Sequence, residues 1–103
     1  MAYVWTRNLG NTKLVNYNYS VDSNNPTKIL FYNSNRIKAR ICNDGGYKVY
    51  IGYISSAENL KLQGTPLNPN QYIETNFIGD IYAVAETNAG NDTVNIRIWD
   101  ETV

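Results

Sequence analysis

Few side chains in this sequence could do chemistry, because the chain has no histidine and a single cysteine, Cys42. A catalytic serine or cysteine usually needs a neighbouring base, most often His, so the usual triads are excluded. Carboxylates could still meet across strands as an acid–base pair. However, most of them fall at strand ends or outward positions, where solvated surface charge is the ordinary role, so the sequence predicts a protein that is not an enzyme. These acids are Glu74, Asp80, Glu86, Asp100 and Glu101.

Metal sites are equally poorly supported. One cysteine without histidine cannot supply the ligand set of a structural zinc site. Calcium prefers oxygen ligands, and residues 43–46 (NDGG) and 91–92 (ND) resemble fragments of a calcium-binding loop. Neither has the spacing of a complete loop, and turn formation explains both more simply. We therefore predict no metal and no cofactor.

Aromatic residues are the best candidates for binding, since the chain has nine tyrosines and two tryptophans. Trp99 is out of phase with the aliphatic residues of its strand, which predicts an outward position on the face of Arg97. Three roles stay open for the tryptophans: a subunit interface, a platform on which sugars stack, or a cover for one edge of the core. The residues predicted to contact a subunit or ligand are Trp5, Tyr17, Tyr19, Tyr50 and Trp99.

Charge argues against two classes of partner. The nine basic and nine acidic residues give a formal net charge of zero, and the basic residues are scattered singly. A nucleic-acid site or a polybasic membrane surface would need them grouped, so neither partner is predicted. No apolar run approaches the roughly 20 residues that span a bilayer. The N-terminus also lacks a signal-peptide pattern, from which we expect folding in a cytoplasm.

The hydrophobic pattern has the period of β-strands. Residues 36–41 and 93–98 alternate strictly between apolar and polar side chains. The first segment would place Ile37, Ala39 and Ile41 inside and its charged residues outside. Further strands are predicted at residues 2–7, 14–20, 28–32, 47–54, 72–77 and 80–86.

Turn residues separate these strands. Residues 43–46 and 88–91 are rich in Asn and Gly, which is typical of tight hairpins. Residues 55–70 form a long irregular stretch of a kind that is often functional, with one helical turn predicted at residues 55–60. The sequence therefore predicts one all-β domain over residues 1–103. We expect an antiparallel β-sandwich, or a small barrel, of about eight short strands, with residues 1–10 as an N-terminal arm or edge strand.

The order of four motifs adds a resemblance over residues 36–99. A hairpin-like segment ends in VYIG at residues 49–52, followed by GTPLNP at 64–69, GDIYA at 79–83 and VNIRIW at 94–99. This order resembles small β-sandwich domains in virion proteins of tailed bacteriophages, of the head decoration, head fibre or tail component type. The resemblance implies a virion protein that forms symmetric homo-oligomers, such as trimers, and binds other virion proteins. It implies assembly in the host cytoplasm, and no catalytic residues carry over.

Two functions thus stay open. The first is a structural protein of the virion, most simply a capsid decoration or minor head or tail protein. The second is a carbohydrate- or receptor-binding module for adhesion to the host surface, in which Trp99 and nearby tyrosines stack on a cell-surface glycan.

Overall fold

The computed structural model describes residues 12–103. Within this range one α-helix, α1 (Ala57–Gln63), separates the fourth and fifth strands, and a short 3₁₀ helix (Thr87–Ala89) precedes the last strand. None of these helices is long and apolar enough to cross a membrane. The strands are β1 (Lys13–Val21), β2 (Thr27–Leu30), β3 (Arg36–Asn43), β4 (Val49–Gly52), β5 (Thr65–Leu67), β6 (Tyr72–Thr75), β7 (Ile81–Ala85) and β8 (Val94–Thr102).

The strands form two four-stranded antiparallel sheets. The first sheet has the order β1-β8-β3-β6, and the second has the order β2-β7-β4-β5. Four ladders join strands from the outside of the sequence inward: β1 with β8, β2 with β7, β3 with β6, and β4 with β5. This nesting is a long hairpin rolled into two sheets, which is the jelly-roll arrangement. The predicted antiparallel β-sandwich of eight strands is confirmed.

The core lies between the inner faces of the two sheets. On β8 the aliphatic residues Val94, Ile96 and Ile98 are fully buried, and Asn95 and Arg97 between them are exposed. This is the predicted alternation, and it places Trp99 on the outer face with Arg97. Each buried aliphatic side chain contributes about 1.5–3 kcal/mol through loss of contact with water.

The two predicted hairpins are wrong, because β3 and β4 lie in different sheets, as do β7 and β8. The first turn is instead organised by Asn43, which is fully buried. Its amide donates to the carbonyls of Tyr47 (2.8 Å) and Leu67 (2.9 Å), and its side-chain oxygen accepts from the Gly45 N–H (2.9 Å). The connection between β7 and β8 contains the 3₁₀ helix, which ends at Gly90. The φ of Gly90 is 59°, a backbone conformation that favours glycine.

The predicted inward position of Ile37 is also wrong. The pairing of β3 with β8 shifts register between Arg36 and Lys38, which is the signature of a β-bulge. As a result Arg36 is buried and Ile37 is 39% exposed, while Ala39 and Ile41 face the core as predicted. A bulge adds one residue, which reverses the face of every side chain before it.

The long stretch 55–70 is more regular than predicted. Helix α1 begins after Ser56, whose hydroxyl accepts from the Asn59 N–H, so the predicted helical turn extends further than residue 60. Leu60 is fully buried against Gly52 on the outer face of the second sheet. The short strand β5 follows, and its proline, Pro66, sits on the sheet edge, where a missing N–H is tolerated.

Three sequence predictions lie outside the described residues. These are the strand at residues 2–7, the arm or edge strand at residues 1–10, and the contact role of Trp5. They stay predictions, as does a single domain over the whole chain.

Candidate interaction surfaces

One end of the sandwich carries a cluster of exposed apolar side chains. Phe31 and Tyr32 follow β2, Tyr53 follows β4, and Phe77 and Ile78 lie between β6 and β7. Their exposed fractions run from 36% for Phe77 to 65% for Tyr53, and the ring centroids of Tyr53 and Phe77 are 4.3 Å apart. Grouped exposure of this kind usually marks a binding surface. We call these five residues the aromatic end.

A buried arginine holds the loops of the aromatic end together. Arg36 donates to the carbonyl oxygens of Phe31 (2.9 Å) and Phe77 (3.0 Å). It also pairs with Asp100 of β8, with 2.8 Å between Nε and Oδ1. Because a buried guanidinium must have its charge and N–H groups satisfied, this network fixes both loops to β8.

A second carboxylate anchors the backbone of the same end. Asp80 accepts a hydrogen bond from the Tyr32 N–H (2.8 Å) and forms an ion pair with Lys28, with 3.2 Å between Nζ and Oδ2. The Tyr32 N–H first, and then Lys28, hold the pKa of the Asp80 carboxyl below its usual value. Lys28 Nζ in turn lies 5.1 Å from the Phe31 ring centroid, a cation–π contact.

The opposite end of the sandwich is polar. There Asp22 accepts hydrogen bonds from the N–H groups of Asn24 (2.9 Å) and Asn25 (2.8 Å). The Tyr47 hydroxyl donates to Asp92 (2.9 Å), and this hydrogen bond raises the pKa of Tyr47. The two ends therefore offer different chemistry, one apolar and aromatic, the other built from Asn and Asp turns.

A cleft of about 200 Å³ opens between β1 and β2. The ring centroids of Tyr17 and Tyr19 are 6.4 Å apart. Tyr17 is half-exposed, while Tyr19 packs against the core, and burial followed by the neighbouring Tyr17 raises its pKa. The lining comprises Tyr17, Tyr19, Ile29, Leu30, Phe31, Tyr32, Asn33, Arg36 and Asp100.

The outer face of the first sheet carries a different aromatic group. The Arg40 guanidinium lies 4.4 Å from the Tyr72 ring centroid and 5.5 Å from that of Trp99. Arg40 also donates to Glu74 Oε2 from Nη2 (2.8 Å) and Nε (3.0 Å), and this bond lowers the pKa of Glu74. On the same face, burial raises the pKa of the half-buried Cys42 thiol, which keeps it in its less reactive form.

Four of the five carboxylates singled out from the sequence have structural partners. Glu74 and Asp80 pair with Arg40 and Lys28, Asp100 pairs with Arg36, and Glu86 accepts from the Lys48 N–H (2.8 Å). Glu101 is buried. Across residues 12–103, no group of three Cys, Asp or Glu side chains is arranged to hold a metal ion.

The candidate contact residues do not form one site. Tyr17 and Tyr19 are neighbours at the cleft, whereas Trp99 lies on the outer face of the first sheet. Tyr50 belongs to β4 of the second sheet, where Lys48 Nζ is 5.9 Å from its ring centroid. Their roles in binding stay predictions, and Trp5 lies outside the described residues.

Sequence reasoning missed the aromatic end. The predicted strands at residues 28–32, 47–54 and 72–77 included four of its five residues, and this part of the prediction is wrong. The observed strands end earlier, at Leu30, Gly52 and Thr75, so these side chains lie in the loops that follow. A usable signal was present, because Phe31 and Tyr32 directly precede an Asn-Ser-Asn turn and Phe77 and Ile78 precede Gly79. Bulky apolar residues beside turn residues end up at the tips of a sandwich, where solvent reaches them.

Comparison with known proteins finds a similar fold in a fragment of a phage spike protein. The sequence matches no protein family, and no characterised protein matches it significantly. Among solved structures, the stem and receptor-binding domain of the spike protein P1 from bacteriophage PM2 has a similar fold, with a TM-score of 0.57 and 13% identity. The match covers 72% of this chain and 29% of that one. At this identity the likeness shows the fold, and the chain spans under a third of the spike fragment's length.

Proposed function

We propose that this chain is a non-enzymatic structural protein of a bacteriophage virion, assembled in the host cytoplasm. In this proposal it is a capsid decoration or minor head or tail protein that self-associates and attaches to the particle. The observation that carries the proposal is the aromatic end, with Tyr32 and Tyr53 more than 60% exposed. Aromatic anchors of this kind supply most of the binding energy at protein interfaces.

The arrangement of the aromatic end supports attachment rather than accidental exposure. The side chains of Arg36 and Asp80 hold its loops through hydrogen bonds to backbone atoms. Arg36 binds the carbonyls of Phe31 and Phe77, and Asp80 binds the N–H of Tyr32. A loop backbone that is already fixed loses little conformational entropy when a partner covers it. The polar opposite end is suited to face solvent.

The fold supports a virion setting. Jelly rolls recur in viral capsid and lectin domains, and the similar fold of the PM2 spike fragment belongs to a phage particle. A shared fold does not carry function by itself. The proposal therefore depends on the exposed aromatic end, with the fold as support.

The test is the composition of particles. Particles purified by density gradient from host cells that produce them should contain this chain in a fixed ratio to the major capsid protein, measured by mass spectrometry. The double substitution Phe31→Ser with Tyr32→Ser should leave the protein folded and remove it from particles. Leu62→Ser, at a 76% exposed position of α1, is the matched control and should be retained. Absence of the wild-type chain from purified particles would overturn the proposal.

Self-association is tested separately, by size-exclusion chromatography with light scattering. The resemblance to tailed-phage domains implies a symmetric homo-oligomer such as a trimer, with three times the mass of one chain. A protein that remains monomeric at every concentration would remove self-association and leave attachment to be judged by particle composition.

A second candidate is a carbohydrate- or receptor-binding module, favoured by the aromatic outer face of the first sheet. Tyr72 is 56% exposed there, beside the Arg40–Glu74 ion pair and Trp99. Sugars stack on aromatic rings and hydrogen-bond to flanking polar groups. The PM2 fragment, which includes a receptor-binding domain, has a similar fold.

A glycan array would separate the two functions. The adhesion module should bind cell-wall glycans, and Tyr72→Ala or Trp99→Ala should abolish the binding, whereas Tyr53→Ala at the aromatic end should not. An array without any bound glycan would contradict this second candidate.

A further inference from the structure

Three of the four sheet edges that the structure describes are protected against pairing with another strand. β2 has four residues and a register shift in its pairing with β7. β5 has only three residues, one of which is a proline. β6 has four residues and carries the charged side chain of Glu74. Short length, bulges, prolines and charges are the devices by which proteins prevent their edge strands from joining other chains.

The fourth edge, β1, has none of these devices over most of its length. It has nine residues, no proline, and a register with β8 that runs without a shift from Lys13 to Val21. Its only charged residue is Lys13, at its first position. Within the described chain β1 has a strand partner on one side, β8. A long edge without these devices is suited to pairing with another strand.

The sequence of β1 is complementary to itself in the antiparallel direction. If two copies pair about a two-fold axis at Tyr17, each Tyr17 lies opposite the other. Asn16 then faces the second copy's Asn18 on the outer face. On the inner face Val15 faces the second copy's Tyr19. Cross-strand aromatic and polar pairs of this kind stabilise sheets, and no like charges meet, because Lys13 lies opposite Val21.

The surroundings of β1 favour the same contact. Val15 and Tyr17 are 41% and 38% exposed although their side chains point to the inner face of the sheet. The cleft beside them is bordered by Phe31 and Tyr32, also exposed. A second copy that continues the sheet beyond β1 would cover the β1 side of the cleft and remove apolar surface from water.

We propose that β1 pairs with β1 of a second copy of this chain, antiparallel and about a two-fold axis at Tyr17. The two four-stranded sheets then form one continuous sheet of eight strands. This contact is isologous, so it closes on itself as a pair. The inference rests on the self-association in the proposed function and assigns its surface. It gives a two-fold contact instead of the three-fold assembly that the resemblance implies.

Light scattering on the full chain tests the contact. The wild-type protein should have twice the mass of one chain, and Tyr17→Lys should weaken the dimer about tenfold or more, because two like charges then meet on the axis. Leu62→Lys adds the same charge at an exposed helix position and should leave the mass unchanged. Circular dichroism should show both variants folded.

Cross-linking locates the axis. In a Cys42→Ser background, Tyr17→Cys should form a covalent dimer under mild oxidation with diamide. Cβ atoms of directly opposite residues lie about 4.5–5.5 Å apart, and a small shift brings them to disulfide distance. Leu62→Cys in the same background should stay monomeric. An oligomer that persists in Tyr17→Lys and does not cross-link through Tyr17→Cys would overturn the β1 contact and leave self-association intact. A monomeric wild-type protein would overturn both, while attachment would still be judged by particle composition.

Discussion

Arg36 Nε lies 2.8 Å from Asp100 Oδ1, and the two side chains are only 1% and 6% exposed. The ion pair joins the start of β3 to the end of β8, and the same guanidinium holds the carbonyls of Phe31 and Phe77. The most buried charge pair of the described chain therefore lies directly beneath its most exposed aromatic cluster.

Removing one partner of the Arg36–Asp100 pair should be strongly destabilising. Arg36→Met leaves the Asp100 carboxylate buried without its cation, so we expect the free energy of unfolding in urea to fall by about 3–5 kcal/mol. The matched control is Arg97→Met, whose ion pair with Asp44 has side chains 52% and 30% exposed. That pair should be worth at most about 1 kcal/mol. Equal losses in the two variants would contradict the structural role of Arg36.

The β-bulge in β3 makes opposite predictions for two isoleucines four residues apart. Ile41→Ala should cost about 2–5 kcal/mol of unfolding free energy, because Ile41 is fully buried in the core. Ile37→Ala should change stability by no more than about 0.5 kcal/mol, since Ile37 is exposed. Strict alternation without a bulge would make both substitutions costly, so chemical denaturation of the two variants decides between the two arrangements.

Helix α1 provides a second matched pair. Leu60 is fully buried on the outer face of the second sheet, and Leu62, two residues later, is 76% exposed. Leu60→Ala should lower the unfolding free energy by about 2–5 kcal/mol, whereas Leu62→Ala should be nearly neutral. Differential scanning calorimetry should show a lower Tm for the first variant alone. Similar Tm values for both would mean that the helix does not pack on the sheet.

Acid should destabilise the fold through Asp80 and Glu74. Both carboxyls have a pKa below the ordinary values of 3.8 and 4.5, because the Tyr32 N–H stabilises the first anion and Arg40 the second. As pH falls, these two carboxyls therefore bind protons in the unfolded chain before they do so in the folded chain. The stability from each group is complete above its ordinary value and is lost as pH falls through its folded pKa.

The measurement is Tm against pH below about pH 5. Asp80→Asn should make the decline with falling pH shallower, because one group that binds protons more tightly in the unfolded state has been removed. Asp92→Asn is the comparison, since Asp92 is a carboxylate at the polar end. An unchanged slope in Asp80→Asn would contradict the role assigned to this carboxylate.

Local sequence was sufficient for some elements and insufficient for others. The strands containing Ile41 and Ile96 were predictable because their alternation is a property of neighbouring residues. The turn at Asn43 was misread as a hairpin, since Asn and Gly indicate a change of direction without saying which sheet the chain enters next. The bulge at Arg36 was also beyond prediction, because it exists only through pairing with β8, more than fifty residues away.

The candidate surfaces divide in the same way. The outward phase of Trp99 could be read from β8 alone, but its neighbours Arg40 and Tyr72 come from two other strands. The aromatic end joins three loops that are distant in sequence, and no local pattern links Phe31 to Tyr53 or Phe77.

By itself, the sequence determined an antiparallel all-β fold of about eight strands, either a sandwich or a small barrel, and a set of side chains poor in catalytic groups. These follow from residue types and from period-two spacing, which are local quantities. The tertiary structure alone decided which strands share a sheet, that Arg36 is buried, and that β1 is a long sheet edge within residues 12–103. The reason is physical: ladders, buried ion pairs and exposed patches depend on which distant segments meet, and the free energy of those contacts is absent from any short stretch of chain.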